Sequence, residues 1–312
     1  MKNFLFAALI TFSCGFTAKS QTGEALFDQG GKLYEEKKYP DAIAVFDKAE
    51  KLDYKTAELY ILRGNCQTRL DKLDNALTDY TTATVVDPQS ARAFFNRGII
   101  YKTKSEFSKA IADFSTVLKI DKTYKSALSE RGVIKMAALN DINGAISDLE
   151  EYLKLDTSND EVYCFLGIAY GKKGDKIKGI DLVSKAIAIN SSSADYYFYR
   201  AYILLDIEKN DEAMKDLNQA IALNDQYAEA YFERGNLYYR LKNQKAQLEN
   251  YDKAISISPK EAKYYYWRGN ANMKNKEAAC GDFKTAESLG YQLPASAKAL
   301  CGLNGRTYVV PN

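Results

Sequence analysis

Six arginines, Arg63, Arg97, Arg131, Arg200, Arg234 and Arg268, each precede a glycine or, after Arg200, an alanine. Each lies in an otherwise apolar and aromatic run such as "RAFFNRGIIY" (92–101). Further along each segment come Asp79, Asp113, Asp148, Asp216, Asn250 and Asp282. A guanidinium near a carboxylate can close a forked, charge-assisted contact. Left open, a row of arginines is instead a ladder of anion sites for a ligand. The sequence favours closure, because the two positions switch together. Two further segments carry Gln29 and Leu166 in place of arginine, with Val45 and Leu182 in place of the acid. Pairing each arginine with the acid of a neighbouring segment gives only three matches in either direction. A semi-buried arginine also needs such a partner, because an unpaired buried charge is strongly disfavoured. The expected pair is a clamp that fixes one element against another, without necessarily adding net stability over an apolar pair.

Catalytic chemistry finds little support. The chain has no histidine, which removes histidine triads, HExxH zinc sites and imidazole acid–base work. There is no P-loop, no GxSxG and no metal-spaced cysteine set, so neither a cofactor nor a metal is expected and the chain reads as a non-enzyme. Acidic clusters such as "DLEEY" (148–152) read as solvated helix faces. Lys+Arg number 43 against 41 Asp+Glu, without the basic excess that phosphate binding requires, so nucleic acid is not the expected partner.

The elements that position the arginines repeat. Gly30, Gly64, Gly98, Gly132, Gly167, Ala201, Gly235 and Gly269 recur every 34 or 35 residues. A second small position follows at Ala42, Ala76, Ala110, Ala145, Gly179, Ala213 and Ala279, with Gln247 departing. Four residues on comes an aromatic or aliphatic one: Phe46, Tyr80, Phe114, Leu149, Val183, Leu217, Tyr251, Phe283. Apolar residues at three- and four-residue steps give two helices per segment. Glycine inside a helix costs about 1 kcal/mol relative to alanine, so its recurrence implies close backbone approach. One helix pair cannot bury both faces, so pairs must stack. Repeat four carries one extra loop residue and repeat eight lacks two.

This pattern resembles the tetratricopeptide repeat over nearly all of the chain after residue 20. The ending "AACGDFKTAESLGY" with "LCG" at 300–302 is similar to secreted repeat proteins of Gram-negative bacteria. The resemblance implies an all-α, right-handed superhelical solenoid of eight antiparallel helix pairs. The expected array covers residues 21–293, with a short capping helix and tail at 294–312. First helices would line a concave groove that binds a peptide or partner protein.

The family pattern places Asn65, Arg69, Phe95, Lys102, Tyr202, Phe232, Asn236, Tyr239, Tyr266 and Asn270 on that inner face. Asparagine can both donate to and accept from a peptide backbone, and aromatics supply contact area. With 24 tyrosines, an aromatic face that holds a glycan or another envelope ligand is the alternative expectation. Many of those tyrosines equally suit packing between helices. The clamp that some family members form on the carboxylate tails of cytosolic chaperones is not expected. Asn65 and Asn96 match it, but Ile61, Ser126 and Glu130 do not.

Residues 1–20 read as an export signal: Lys2, the apolar run Phe4–Phe12, then small Ala18 and Ser20. The run is shorter than the roughly 20 residues of a spanning helix, and no later segment is apolar enough to span. Cys14 suggests a rival lipoprotein reading, but "TFSC" lacks the usual leucine three before the cysteine. Cys66 and Cys164 read as core fillers. In an exported chain Cys280 and Cys301 either bridge or remain two free thiols.

Overall fold

The computed structural model describes residues 22–303; the export-signal reading of residues 1–20, Cys14 included, and the tail from residue 304 lie outside them. Among the described residues are seventeen α-helices and no strand. The chain divides into two compact units, one up to Lys122 and one from Thr123. The first contains α1 (Gly23–Glu35), α2 (Tyr39–Lys51), α3 (Ala57–Arg69), α4 (Leu73–Val86), α5 (Ala91–Thr103) and α6 (Phe107–Ile120). The second contains α7 (Lys125–Ala137), α8 (Ile142–Leu155), α9 (Asp160–Lys173), α10 (Lys176–Ile189), α11 (Ala194–Asp206) and α12 (Asn210–Leu223). It continues with α13 (Ala228–Arg240), α14 (Gln244–Ile257), α15 (Ala262–Ala271), α16 (Lys276–Ser288) and α17 (Ala295–Leu300).

Within each unit an odd-numbered helix packs on the even one that follows, and that second helix packs on the next first helix. The chain reverses within each pair: Gly179, early in α10, lies against Gly171, late in α9, as well as against Gly167. Side-chain caps start several helices, with Thr22, Thr56 and Ser90 accepting from backbone N–H groups in the first turn. The turn within a pair has a fixed geometry. Lys37, Asp71, Ser105, Asn140, Glu208 and Lys242 all adopt φ between 55° and 60°, and Gly174 takes φ 103° at the same place. Only Gly174 marks this left-handed position in the sequence.

The recurring small residues act through close approach. A Cβ on Gly64, Gly98 or Gly235 would lie 2.7–2.8 Å from the ring of Tyr80, Phe114 or Tyr251. The partner ring therefore fills the space a side chain would need, and dispersion contact offsets the helix-propensity cost. Phe46, Phe114, Leu149, Val183, Leu217, Tyr251 and Phe283 are fully buried at the second-helix position. Gln247 is also buried, so the one departure from the small-residue rule is absorbed rather than expelled.

Cys280 and Cys301 are joined by a disulfide, which ties the end of α17 to α16. Phe283, Ala286, Leu293, Ala297 and Leu303 form the apolar cluster beneath that closure. Cys66 and Cys164 are free and buried.

Candidate functional site

Every one of the six arginines is engaged by its own repeat. Nε and Nη2 of Arg63, Arg97, Arg131, Arg200 and Arg268 donate to the two carboxylate oxygens of Asp79, Asp113, Asp148, Asp216 and Asp282, at 2.6–3.0 Å. Arg234 donates from Nε to Asn250 Oδ1 at 2.8 Å. The carboxylate hydrogen bond holds the guanidinium pKa of Arg97 and Arg200 above the ordinary arginine value. The arginines therefore form the expected clamp, and no open anion ladder runs along them.

Two further contacts of these arginines escaped the sequence reading. The remaining nitrogen reaches back to the preceding second helix: Nη1 of Arg200, Arg234 and Arg268 donates to Ser184, Asn218 and Asp252. Arg63 similarly reaches Asp47 and Glu50. Each of these guanidinium groups thus bonds a second helix on either side of it. The ring three residues earlier also receives the cation, with Tyr60, Phe94, Tyr197, Tyr231 and Tyr265 at 5.3–5.8 Å. A polar residue directly after the buried second-helix aromatic or aliphatic one (Asp47, Ser184, Asn218, Asp252) was the available signal for the first contact.

A cavity of about 450 Å³ opens among the first helices of the second unit. Ile168, Phe198, Tyr199, Tyr202, Ile203 and Phe232 make its apolar wall. Lys172, Lys176, Asp206, Glu229, Glu233 and Lys263 supply the charges. Lys176 and Asp206 pair with each other. Glu233 is half-buried and accepts from Asn236 Nδ2 at 3.1 Å; burial raises its carboxyl pKa above the usual glutamate value. Tyr202 is 56% exposed, whereas Phe232 is 6% exposed and packs against Tyr251 and Tyr264.

A separate cleft of about 280 Å³ is lined by Tyr239, Gln247, Tyr266, Trp267, Asn270 and Ala271. The structure thus groups the sequence-predicted residues of the second unit into two places: Tyr202 and Phe232 in the cavity, and Tyr239, Tyr266 and Asn270 in the cleft. Asn236 belongs to neither lining. Its Oδ1 accepts from Tyr251 Oη at 2.6 Å, while its Nδ2 supports Glu233.

The predicted residues of the first unit are more dispersed. Asn65 Oδ1 accepts from Tyr80 Oη at 2.7 Å and from Asn96 Nδ2 at 3.0 Å. Phe95 is half-buried against Phe114, with ring centroids 5.6 Å apart. Arg69 is exposed at the end of α3, and Lys102 is half-buried in the last turn of α5. Several tyrosines are packing residues: Tyr60, Tyr170, Tyr196 and Tyr227 donate to Glu50, Glu150, Asp160 and Asp195. Tyr199, Glu233 and Trp267, which the family pattern does not mark, occupy one equivalent position, directly before Arg200, Arg234 and Arg268. Among the described residues no group of three or more His, Cys, Asp and Glu side chains is placed to hold a metal, and no helix is long and apolar enough to cross a membrane.

Comparison with known proteins gives the same architecture. Family descriptions of the tetratricopeptide repeat match residues 27–80, 69–124 and 228–261, and a further TPR repeat description matches 201–242. No curated protein matches the chain in sequence. A tetratricopeptide repeat protein from Parabacteroides merdae is similar in structure, with a TM-score of 0.62 at 20% identity, over 86% of this chain and 99% of that one. YrrB, described as a TPR protein with an unusual peptide-binding site, gives 0.54 at 20% identity over 61% of this chain and 97% of its own. The APC/C hetero-tetramer Cut9–Hcn1 gives 0.62 at 16% identity over 92% of this chain and 56% of the matched one. With glycine–ring contacts, arginine clamps and helix pairs recurring at a 34-residue period, the chain belongs to the tetratricopeptide repeat family.

Proposed function

We propose that this protein is a non-catalytic scaffold that binds a peptide segment of a partner protein on the first-helix face of its second unit. The carrying observation is the aromatic cavity around Phe198, Tyr199, Tyr202 and Phe232. It offers a deep apolar seat beside charged groups, the composition that anchors a peptide side chain and orients its backbone. Recognition needs no reacting group. YrrB, of similar fold, has a peptide-binding site, and Cut9–Hcn1 is an assembly of two proteins; both lend the reading support.

The place of action we propose is the bacterial envelope. The signal-like residues 1–20 support export, and the Cys280–Cys301 bond suits an oxidising compartment. Selection from a displayed peptide library tests the binding reading. Enriched peptides should bind the wild-type chain and lose about tenfold in affinity with Tyr199→Ala or Tyr202→Ala, whose side chains line the cavity. Selection of no peptide, or equal binding by both variants, counts against the reading.

A further inference from the structure

The cleft beside Trp267 differs in chemistry from the cavity around Tyr202. None of its six lining residues is charged. Three are aromatic, and two of those are well exposed: Tyr239 at 66% and Trp267 at 41%. The third, Tyr266, is held rigidly. Its ring stacks on Tyr291 with centroids 4.5 Å apart, and it meets Trp267 edge-on at 5.7 Å.

Two primary amides complete the lining. Asn270 donates from Nδ2 to the Tyr266 carbonyl at 3.0 Å. Gln247 is the more informative one. Seven of eight repeats place alanine or glycine at its position, facing the first helix. Here a long amide is buried to 4% exposure, at a site where a small apolar side chain would satisfy packing. Its Nε2 reaches only Tyr251 Oη, at 3.4 Å, close to the limit of a hydrogen bond. Its Oε1 is not one of the sealed side-chain oxygens without a partner, so the amide stays open on that side. An amide so weakly bonded within the chain is a candidate for a ligand's hydrogen bonds.

We propose that this cleft binds a neutral saccharide. Trp267, Tyr239 and Tyr266 would take the C–H face of a sugar ring, and Gln247 and Asn270 its hydroxyls. A pyranose ring is apolar on its faces, and each rim hydroxyl both donates and accepts, as a primary amide does. The absence of charge disfavours ions, acidic sugars and charged peptide side chains. The inference is independent of the peptide reading, which concerns other residues.

Trp267 is the chain's single tryptophan, so its fluorescence reports directly on the cleft. The full-length mature chain would be titrated with neutral cello-, malto-, xylo- and chito-oligosaccharides. At least one series should give a saturable change in Trp267 emission. Gln247→Ala restores the residue most repeats carry, so the variant should fold and keep its thermal transition. It should weaken the same saccharide about tenfold, read by calorimetry. Asn270→Ala provides a second reading with the same expectation. The proposal is overturned if no saccharide in the panel changes the emission. Equal affinity of the folded Gln247→Ala variant overturns it, as does a peptide that perturbs Trp267 where no sugar does.

Discussion

Arg97 of α5 holds Asp113 of α6 through two parallel hydrogen bonds, Nε to Oδ2 and Nη2 to Oδ1, both 2.8 Å long. Asp113 is buried and the arginine side chain is 17% exposed, so neither charge has water as an easy substitute. Arg97→Leu strands a buried carboxylate and is expected to cost about 3–5 kcal/mol. Arg97→Leu combined with Asp113→Leu should recover most of that loss, because repeat five carries an apolar pair, Leu166 and Leu182, at the same two positions. Urea unfolding of the double-mutant cycle measures this; additive losses would contradict the clamp.

Gly98 faces the Phe114 ring, and an added Cβ would lie 2.8 Å from Cε1. Gly98→Ala should therefore destabilise by about 1–3 kcal/mol despite the better helix propensity of alanine. Combination with Phe114→Leu should soften the loss, since Gly132 already packs on Leu149 with more clearance, 3.1 Å. Gly31 has nothing within 4 Å of an added Cβ, so Gly31→Ala should instead stabilise by about 0.5–1 kcal/mol. Thermal denaturation of the three variants separates close packing from propensity.

The four described cysteines divide into two kinds. Burial pushes the Cys66 thiol up to about 11 and the Cys164 thiol up to about 12. Both should resist iodoacetamide at pH 8 in the native protein and react once it is unfolded. Cys280 and Cys301 should be protected from alkylation until reduced. Loss of their 21-residue link should destabilise the C-terminal end by about 3 kcal/mol. Mass spectrometry after labelling, with and without reductant, reads all four positions.

Glu233 gives a pH dependence of known sign. Burial raises its folded-state pKa, so between the ordinary and the raised value the native state holds more protons than the unfolded one. This group's contribution therefore disfavours the fold progressively as pH rises through that window. Glu233→Gln should melt at a higher temperature than wild type at pH 7, with the difference shrinking toward about pH 4. Calorimetric melting across that range would show it; a difference that grows on acidification would contradict the assigned environment.

The clamps were legible because eight copies within one chain let two positions be seen to switch together. The helix pairs were legible from small residues at a fixed period. Asn65 and Asn236, expected on the groove face, each accept a hydrogen bond from the second-helix tyrosine of their own repeat, Tyr80 and Tyr251. A sequence signal was present, since both repeats with tyrosine at the second-helix slot carry asparagine fifteen residues earlier, although Asn270 occupies the equivalent position beside Phe283. Tyr199 and Glu233 line the cavity and Trp267 the cleft, although none lies on the single stripe that the family pattern marks. Which side chains line such a space depends on how neighbouring first helices approach, which no one repeat encodes. Gln247 stood out as an exception in the sequence, but its burial beside a cleft is a tertiary fact.

Site-specific photo-crosslinking in whole cells tests partner binding at the cavity most directly. The photoreactive residue p-benzoylphenylalanine would replace Tyr202 in the cavity of the second unit or, as a control, Lys215 on second helix α12. Position 202 should give a discrete protein adduct, lost when Tyr199→Ala is added, and position 215 none. Adducts from position 215 with none from position 202 would contradict partner binding at the cavity.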